Sequence, residues 1–327
     1  EILTDKQRAT LEEKLQVDFG YSLPGVSRFR ATVFYQRSTL AAVFRCIPFD
    51  FPTIDDWGLP EVLYEFCDLK QGLVIVTGPT GAGKSSTLAS KLRQITDTRE
   101  VHIVTIEDPI EFLIQDAKGA LTQREVGTDC HTFPMGLRNA LRQDPDVIMV
   151  GEMRDLETVD TSLKAAETGH LVFSTIHTSD VASTINRLVS FFPHEEHMQL
   201  RARLADNLKA IVSLRLLINK KQNGRVPAVE VMRSTRMIQE CIKDPAKTHE
   251  LTEYIARARS EGMQSFDQHL LDLLRANKIS HEQALGAASN PADFQTKLEM
   301  EGSYDEPAEA EEAKPEVPFE IDSDERF

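Results

Sequence analysis

Residues 78 to 85 read Gly-Pro-Thr-Gly-Ala-Gly-Lys-Ser, and glycines spaced in this way ahead of a lysine and a hydroxyl form a phosphate-handling pattern. Every position of G-x-x-x-x-G-K-[ST] is matched, after the apolar run "GLVIVT" and before the helical run "STLASKLRQI", which is the strand–loop–helix context the pattern needs. Gly78, Gly81 and Gly83 let the loop backbone wrap its N–H groups around phosphate oxygens, and the following helix start adds partial positive charge. Lys84 can reach the outer phosphates of a nucleotide, and Ser85 can present its hydroxyl to Mg²⁺. The chemistry indicated is binding and transfer of a nucleotide phosphoryl group.

Other reactive side chains stand where apolar runs end. "TIEDPIEF" places Glu107, Asp108 and Glu111 after one run, "DVIMVGE" closes another on Glu152 in the manner of a Walker B element, and "LVFSTIH" ends in His177. His170 opens that last run. If the run is a strand, His170 and His177 lie about 23 Å apart on opposite faces, so they cannot chelate one ion. His177 then shares the phosphate edge, where an imidazole can donate to a phosphate or to an attacking water. His170 reads as a structural or subunit-contact residue, with a coupling role as the alternative. Charge developing on the transferred group calls for arginine. Arg124, Arg138, Arg142 and Arg154 are the candidates in the middle of the chain, and Arg28, Arg30 and Arg45 those near its beginning.

The elements that must position these groups follow from periodicity. Apolar runs at Leu73–Val76, Val101–Ile106, Val147–Val150 and Leu171–Ile176, with helical stretches after the first, third and fourth, predict an α/β fold with a parallel sheet covered on both faces. In such a sheet ligands bind beyond the carboxyl ends of the strands. Residues 28 to 47 alternate as two strands with a turn near Arg37-Ser38-Thr39, and 48 to 60 read as a linker. From Thr235 onward the pattern is helical, with Phe266, Leu270, Leu273, Leu274 and Asn277 on one stripe. The chain opens inside a helical pattern (Lys6 to Leu15), which suggests an N-terminal unit begun further upstream.

With 327 residues, 41% hydrophobic, the chain can bury one large or two medium cores. It has no apolar run of bilayer-spanning length and no signal pattern. Cys46, Cys67, Cys130 and Cys241 lack C-x-x-C spacing, so neither a zinc site nor a disulfide framework is indicated. The net charge is −15, and residues 299 to 327 hold 12 acidic and 2 basic side chains. That Pro/Glu/Ala-rich tail should be disordered, acting as a solubilising or partner-docking segment. The acidic balance argues against a nucleic-acid partner.

Taken in order, the Walker A "GPTGAGKSS", the Asp box "TIEDPIEF", the Walker B "DPDVIMVGEMRDLET" and the His box "AAETGHLVFSTIHT" resemble the twitching-motility (PilT/PilU) branch of the type II/IV secretion and pilus ATPases. The resemblance runs from about Arg28 to Phe294. It implies a RecA-like P-loop ATPase core at 54–234, a PAS-like α+β N-terminal domain represented in part by 1–53, C-terminal helices at 235–298 and the acidic tail beyond. By the same resemblance Gly78, Pro79, Thr80, Gly81, Ala82, Gly83, Lys84, Ser85 and Ser86 bind ATP, and Ser85 and Glu152 serve Mg²⁺. Glu111 would activate the water, His170 and His177 form the His-box pair, and Arg30 and Arg45 match N-terminal arginines that approach the nucleotide. The implied protein is a cytoplasmic homohexameric motor, peripheral at the inner membrane. It would work against a pilus platform protein, with a paralogous retraction ATPase as a further partner. Met237-Ile238-Gln239-Glu240-Cys241-Ile242-Lys243 replaces the Ala-Ile-Arg-Asn-Leu-Ile-Arg of the retraction branch. This departure and the long tail leave open an accessory PilU-like subunit; a secretion-system ATPase is a further alternative.

Overall fold

The computed structural model describes residues 2–23, 26–47, 51–221 and 224–300. The acidic tail from 301 onward, with the disorder expected of it, lies outside the described residues, as do 48–50 of the expected linker. The first unit comprises α1 (Asp5–Lys14), β1 (Gln16–Leu23), β2 (Ser27–Gln36) and β3 (Thr39–Ile47), whose strands form an antiparallel sheet in the order β1-β2-β3. Arg37 and Ser38 turn the β2–β3 hairpin with φ of 49° and 63°, the left-handed pair that suits a two-residue hairpin loop. Leu11, Val17, Phe19, Ala31 and Val33 pack α1 onto one face of this sheet.

The main body continues with α2 (Val62–Cys67), β4 (Gly72–Thr77), α3 (Lys84–Thr98), β5 (His102–Glu107), β6 (Ala120–Glu125), α4 (Phe133–Ala140), β7 (Val147–Val150), α5 (Leu156–Glu167), β8 (Leu171–Ile176), α6 (Val181–Ser190), α7 (His197–Asn207), β9 (Leu208–Ile218) and β10 (Arg225–Arg233). Its seven strands run β10-β9-β4-β8-β7-β5-β6. All neighbours are parallel except β10, which closes one edge antiparallel to β9. Alternation within β4 divides the core. Leu73 and Ile75 join the cluster under α4 to α7, whereas Val74 and Val76 join the cluster under α2 and α3. Helices α8 (Arg236–Lys243), α9 (Leu251–Arg257), α10 (Phe266–Arg275), α11 (His281–Ala287) and α12 (Pro291–Met300) follow. The α10–α12 group covers β10 through Val226, Ala228, Phe266, Leu270 and Phe294. This is the expected α/β architecture, with an N-terminal antiparallel sheet and C-terminal helices.

Two expectations need correction. Residues 51–60 are not a loose tether, because Phe51, Ile54 and Leu59 are buried and the Ser90 hydroxyl on α3 donates to the Pro52 carbonyl at 2.5 Å. Their apolar side chains gain more from the core than a linker gains from solvent. Asn277 lies off the α10 stripe: the helix stops at Arg275, and Asn277 is exposed with φ of 56°.

Lys91 on α3 is fully buried. Its ammonium donates to the Leu63 carbonyl at 3.0 Å and sits 5.0 Å from the centre of the Phe66 ring. Burial pulls its pKa down to about 8, with the neighbouring Cys67 opposing that shift. A lowered lysine pKa means that the folded state binds its proton less tightly than the unfolded chain. The penalty is therefore complete below about pH 8 and fades as the pH rises toward the ordinary lysine value. Lys91→Met should stabilise the fold by about 2 kcal/mol at pH 7 and by clearly less at pH 10, read from urea titrations at both pH values. Equal gains at the two values would mean that charge burial is not the cause.

Candidate functional site

Most long helices of the body begin with a side chain that accepts a backbone N–H: Thr132 for α4, Asp155 for α5, Asp180 for α6 and Ser265 for α10. Helix α3 does not. It starts from Gly83, left-handed at φ 94°, with no side-chain cap. The first amides of a helix need acceptors, so the loop leaves a cradle of N–H groups at the carboxyl edge of β4, suited to an anion. Gly78 opens the loop at φ 145°, and a Cβ there would stand 2.6 Å from the Leu214 carbonyl oxygen. Only glycine lets β9 and the loop approach so closely.

Lys84 lies almost wholly inside, donating to the carbonyls of Gly78 at 2.8 Å and Pro79 at 3.0 Å. Burial lowers its pKa, and the charges of Glu152 and Glu111 partly restore it. Its Nζ is also 3.4 Å from His177 Nδ1. An ammonium only donates, so Nδ1 is the acceptor and the imidazole proton belongs on Nε2. That nitrogen is 3.6 Å from a Glu152 carboxylate oxygen. Burial, then the Lys84 charge, lower the His177 pKa, so the ring is neutral at pH 7. Glu152 follows β7 and pairs with Arg154. Three strand ends thus deliver Lys84, Glu152 and His177 to one place. Ser85 and Ser86 are the second and third residues of α3.

The Asp-box residues divide. Glu107 is buried, and its carboxylate accepts from the Thr105 hydroxyl at 2.6 Å, the Gln123 amide at 3.0 Å and the Glu111 N–H at 3.4 Å. It props the loop instead of facing the edge. Asp108 is exposed, and its pKa is raised, chiefly by desolvation and against the pull of Arg154. Glu111 stays open to solvent, 3.9 Å from Arg30 of the same chain. Arg45 is Arg30's cross-strand neighbour in the β2–β3 register and is exposed.

His170 does not join this group. Its Nδ1 contacts the Ala165 carbonyl at 3.0 Å and the Thr168 hydroxyl at 3.3 Å, so it closes the end of α5 at the far end of β8. Among the other arginines, Arg138 pairs with Glu157 at 2.9 Å and Arg124 donates to the Asp129 carbonyl at 2.8 Å. Arg142 is exposed beyond the end of α4.

Arg28 has a role not read from the sequence. It pairs with Glu125 at 2.6 Å and donates to the Ile110 carbonyl at 3.3 Å, while the Ile110 N–H donates to the same Glu125 carboxylate at 3.1 Å. The N-terminal sheet is thereby clamped to the loop that carries Glu111. Glu230 was missed as well: it lies on β10 with 3% exposure, and the signal available was a single carboxylate inside the apolar run "VPAVEVM".

The family model described as type II/IV secretion system protein matches residues 61–284. The type IV pilus retraction ATPase PilT of Pseudomonas aeruginosa is 46% identical over 90% of this chain and 85% of its own length. The type IV pilus ATPase PilU of the same organism is 38% identical over 93% of this chain and 79% of its own. The crystal structure of the pilus retraction motor PilT with bound ADP superposes with a TM-score of 0.84 at 44% identity, covering 90% of this chain and 84% of that one. A family model spanning most of the core, relatives aligned along nearly the whole chain and a matching solved structure agree: the protein belongs to the type II/IV secretion system family, in its twitching-motility ATPase branch.

Proposed function

We propose that the chain is an ATP-hydrolysing motor subunit that works in a homohexameric ring on the cytoplasmic face of the inner membrane, driving type IV pilus retraction against a platform protein. The observation that carries this reading is the convergence of an uncapped helix start, Lys84, Glu152, His177 and Glu111 on one edge of the sheet. The names of the relatives supply the biological direction.

The P-loop amides from Gly78 to Ser86 hold the phosphate chain, and Lys84 turns from the loop carbonyls toward the outer phosphates once they arrive. Ser85 and Glu152 provide the hydroxyl and carboxylate oxygens that suit Mg²⁺, which when bound neutralises phosphate charge. Glu111 is open to solvent and orients the water. As that water attacks the γ-phosphorus, the bond to the bridging oxygen breaks, leaving ADP and inorganic phosphate. Neutral His177 donates through Nε2–H at this edge. Arg30 holds Glu111 within the chain, which leaves Arg45 to reach the site of a neighbouring subunit. No helix among the described residues is long and apolar enough to cross a membrane.

A secondary reading, an accessory subunit docked on a paralogous motor, rests on α8. Its Ile238, Cys241 and Ile242 keep the buried face, whereas Met237 is half exposed, so the departure from the retraction-branch segment lies partly on the surface that partners meet. Deleting the gene separates the two readings: loss of retraction supports a main motor, and persistence with a paralogue present supports the accessory role.

Lys84→Ala should abolish most of the rise in Tm that MgATP gives the wild type, which is about 2.7 kcal/mol of stabilisation at a hundredfold excess over Kd. The nucleotide-free Tm should move little, because the ammonium leans on loop carbonyls. A full nucleotide shift in the variant would end the P-loop assignment.

Glu111→Ala should keep that shift and lose about 10²-fold or more in turnover. Mixing it with Arg45→Ala should restore part of the activity, since each chain supplies what the other lacks at a shared interface. Absence of rescue would return Arg45 to its own chain.

A further inference from the structure

Glu230 is a carboxylate inside the fold with no part in the scheme above. It accepts the backbone N–H of Val181, the first residue of α6, at 2.9 Å. Asp180, the α6 N-cap, accepts the Ser183 N–H at 2.8 Å. The two acids therefore divide the amides of one helix start, and that helix begins four residues after His177. Facing Glu230 are Asp180 from the turn and Ser213 and Arg215 from β9. Burial pushes its carboxyl up to about 7, with the Val181 N–H pulling the other way. A fold that keeps so costly a group uses its acceptor oxygen. Arg215 carries the link outward: its guanidinium acts on both acids, donates to the Ala287 carbonyl and stacks 3.8 Å from the centre of the Phe266 ring.

We propose that Glu230 is a positioning residue for hydrolysis: by holding the Val181 amide it sets the turn 177–180 and so places His177 against Lys84 and Glu152, with Arg215 tying this turn to the C-terminal helices. The buried N–H left by its removal would have to find another acceptor, and the turn would move. Displacements near 1 Å at a reacting centre cost about 10²-fold in rate. Nucleotide affinity belongs to the P-loop and should stay.

The inference rests on the ATPase reading, and the experiment separates the two. Turnover is measured for the full chain and for Glu230→Gln, Glu230→Met and Val181→Pro. Glutamine keeps an acceptor oxygen, methionine fills the space without one, and proline removes the donor at the first helical position, where it is tolerated. Expected are a loss in kcat of about tenfold or more for Glu230→Met and Val181→Pro with KM for ATP within about twofold, and near wild-type kcat for Glu230→Gln. Wild-type kcat in Val181→Pro, a rise in KM that accounts for the loss, or Glu230→Gln as poor as Glu230→Met would overturn the positioning role. If Glu230→Met does not fold, Val181→Pro decides alone. A wild-type chain without turnover would overturn the ATPase reading instead.

Discussion

An uncapped helix start beside a nearly buried ammonium is an electropositive hole, and much of this molecule is arranged around it. Lys84 lies where its charge is costly, with the carbonyls of Gly78 and Pro79 and, further off, His177 Nδ1 to receive it. The amides at the head of α3 have no side-chain acceptor. Both conditions are relieved by an anion, so the site is poised for phosphate before one arrives. Glu152 and Glu111 hold the lysine charged from a distance, and His177 stays neutral because burial and that same lysine repel its proton. A parallel sheet makes this gathering unavoidable, since β4, β5, β7 and β8 all end at the same edge.

The edge is also wired to the rest of the chain. Through Arg28, the N-terminal sheet grips both Glu125 and the Ile110 carbonyl, and Arg30 meets Glu111 one residue further on. A motion of that sheet relative to the core would pull on the residue proposed to orient the water. On the opposite flank, Glu230 and Arg215 join the His177 turn to the helices after β10. Nucleotide chemistry and the two outer units are thus connected by short polar contacts, a construction suited to turning hydrolysis into movement.

Family membership and geometry constrain each other usefully. Similarity to PilT at 46% and to PilU at 38% names the branch, while the segment 237–243 on α8 departs from the retraction-type pattern both at exposed Met237 and at buried Cys241. Ile238, Cys241 and Ile242 keep that helix anchored in the core.

Much of the core was legible along the chain because its signals are local. The phosphate loop needs glycines, a lysine and a hydroxyl within eight residues. Strands β4, β5, β7 and β8 are largely apolar runs, and each is followed within a few residues by a candidate for the site. Strands β1, β6, β9 and β10 were not legible: β6 is largely polar, β9 runs straight on from α7, and β10 carries Pro227 and Glu230 inside an apolar run. Pairings between residues distant in sequence were equally hidden. Nothing in "TIEDPIEF" says that Glu107 turns inward to three donors while Glu111 faces solvent, because Thr105, Gln123 and the Glu111 amide meet only after β5 and β6 align. The two histidines of "GHLVFSTIH" are told apart already by the rise of the strand between them, but only the neighbours at each end decide that one closes a helix while the other meets Lys84 and Glu152. Residue types set what chemistry the chain can do; the sheet's common edge and the dielectric around each group decided which copies of those types do it.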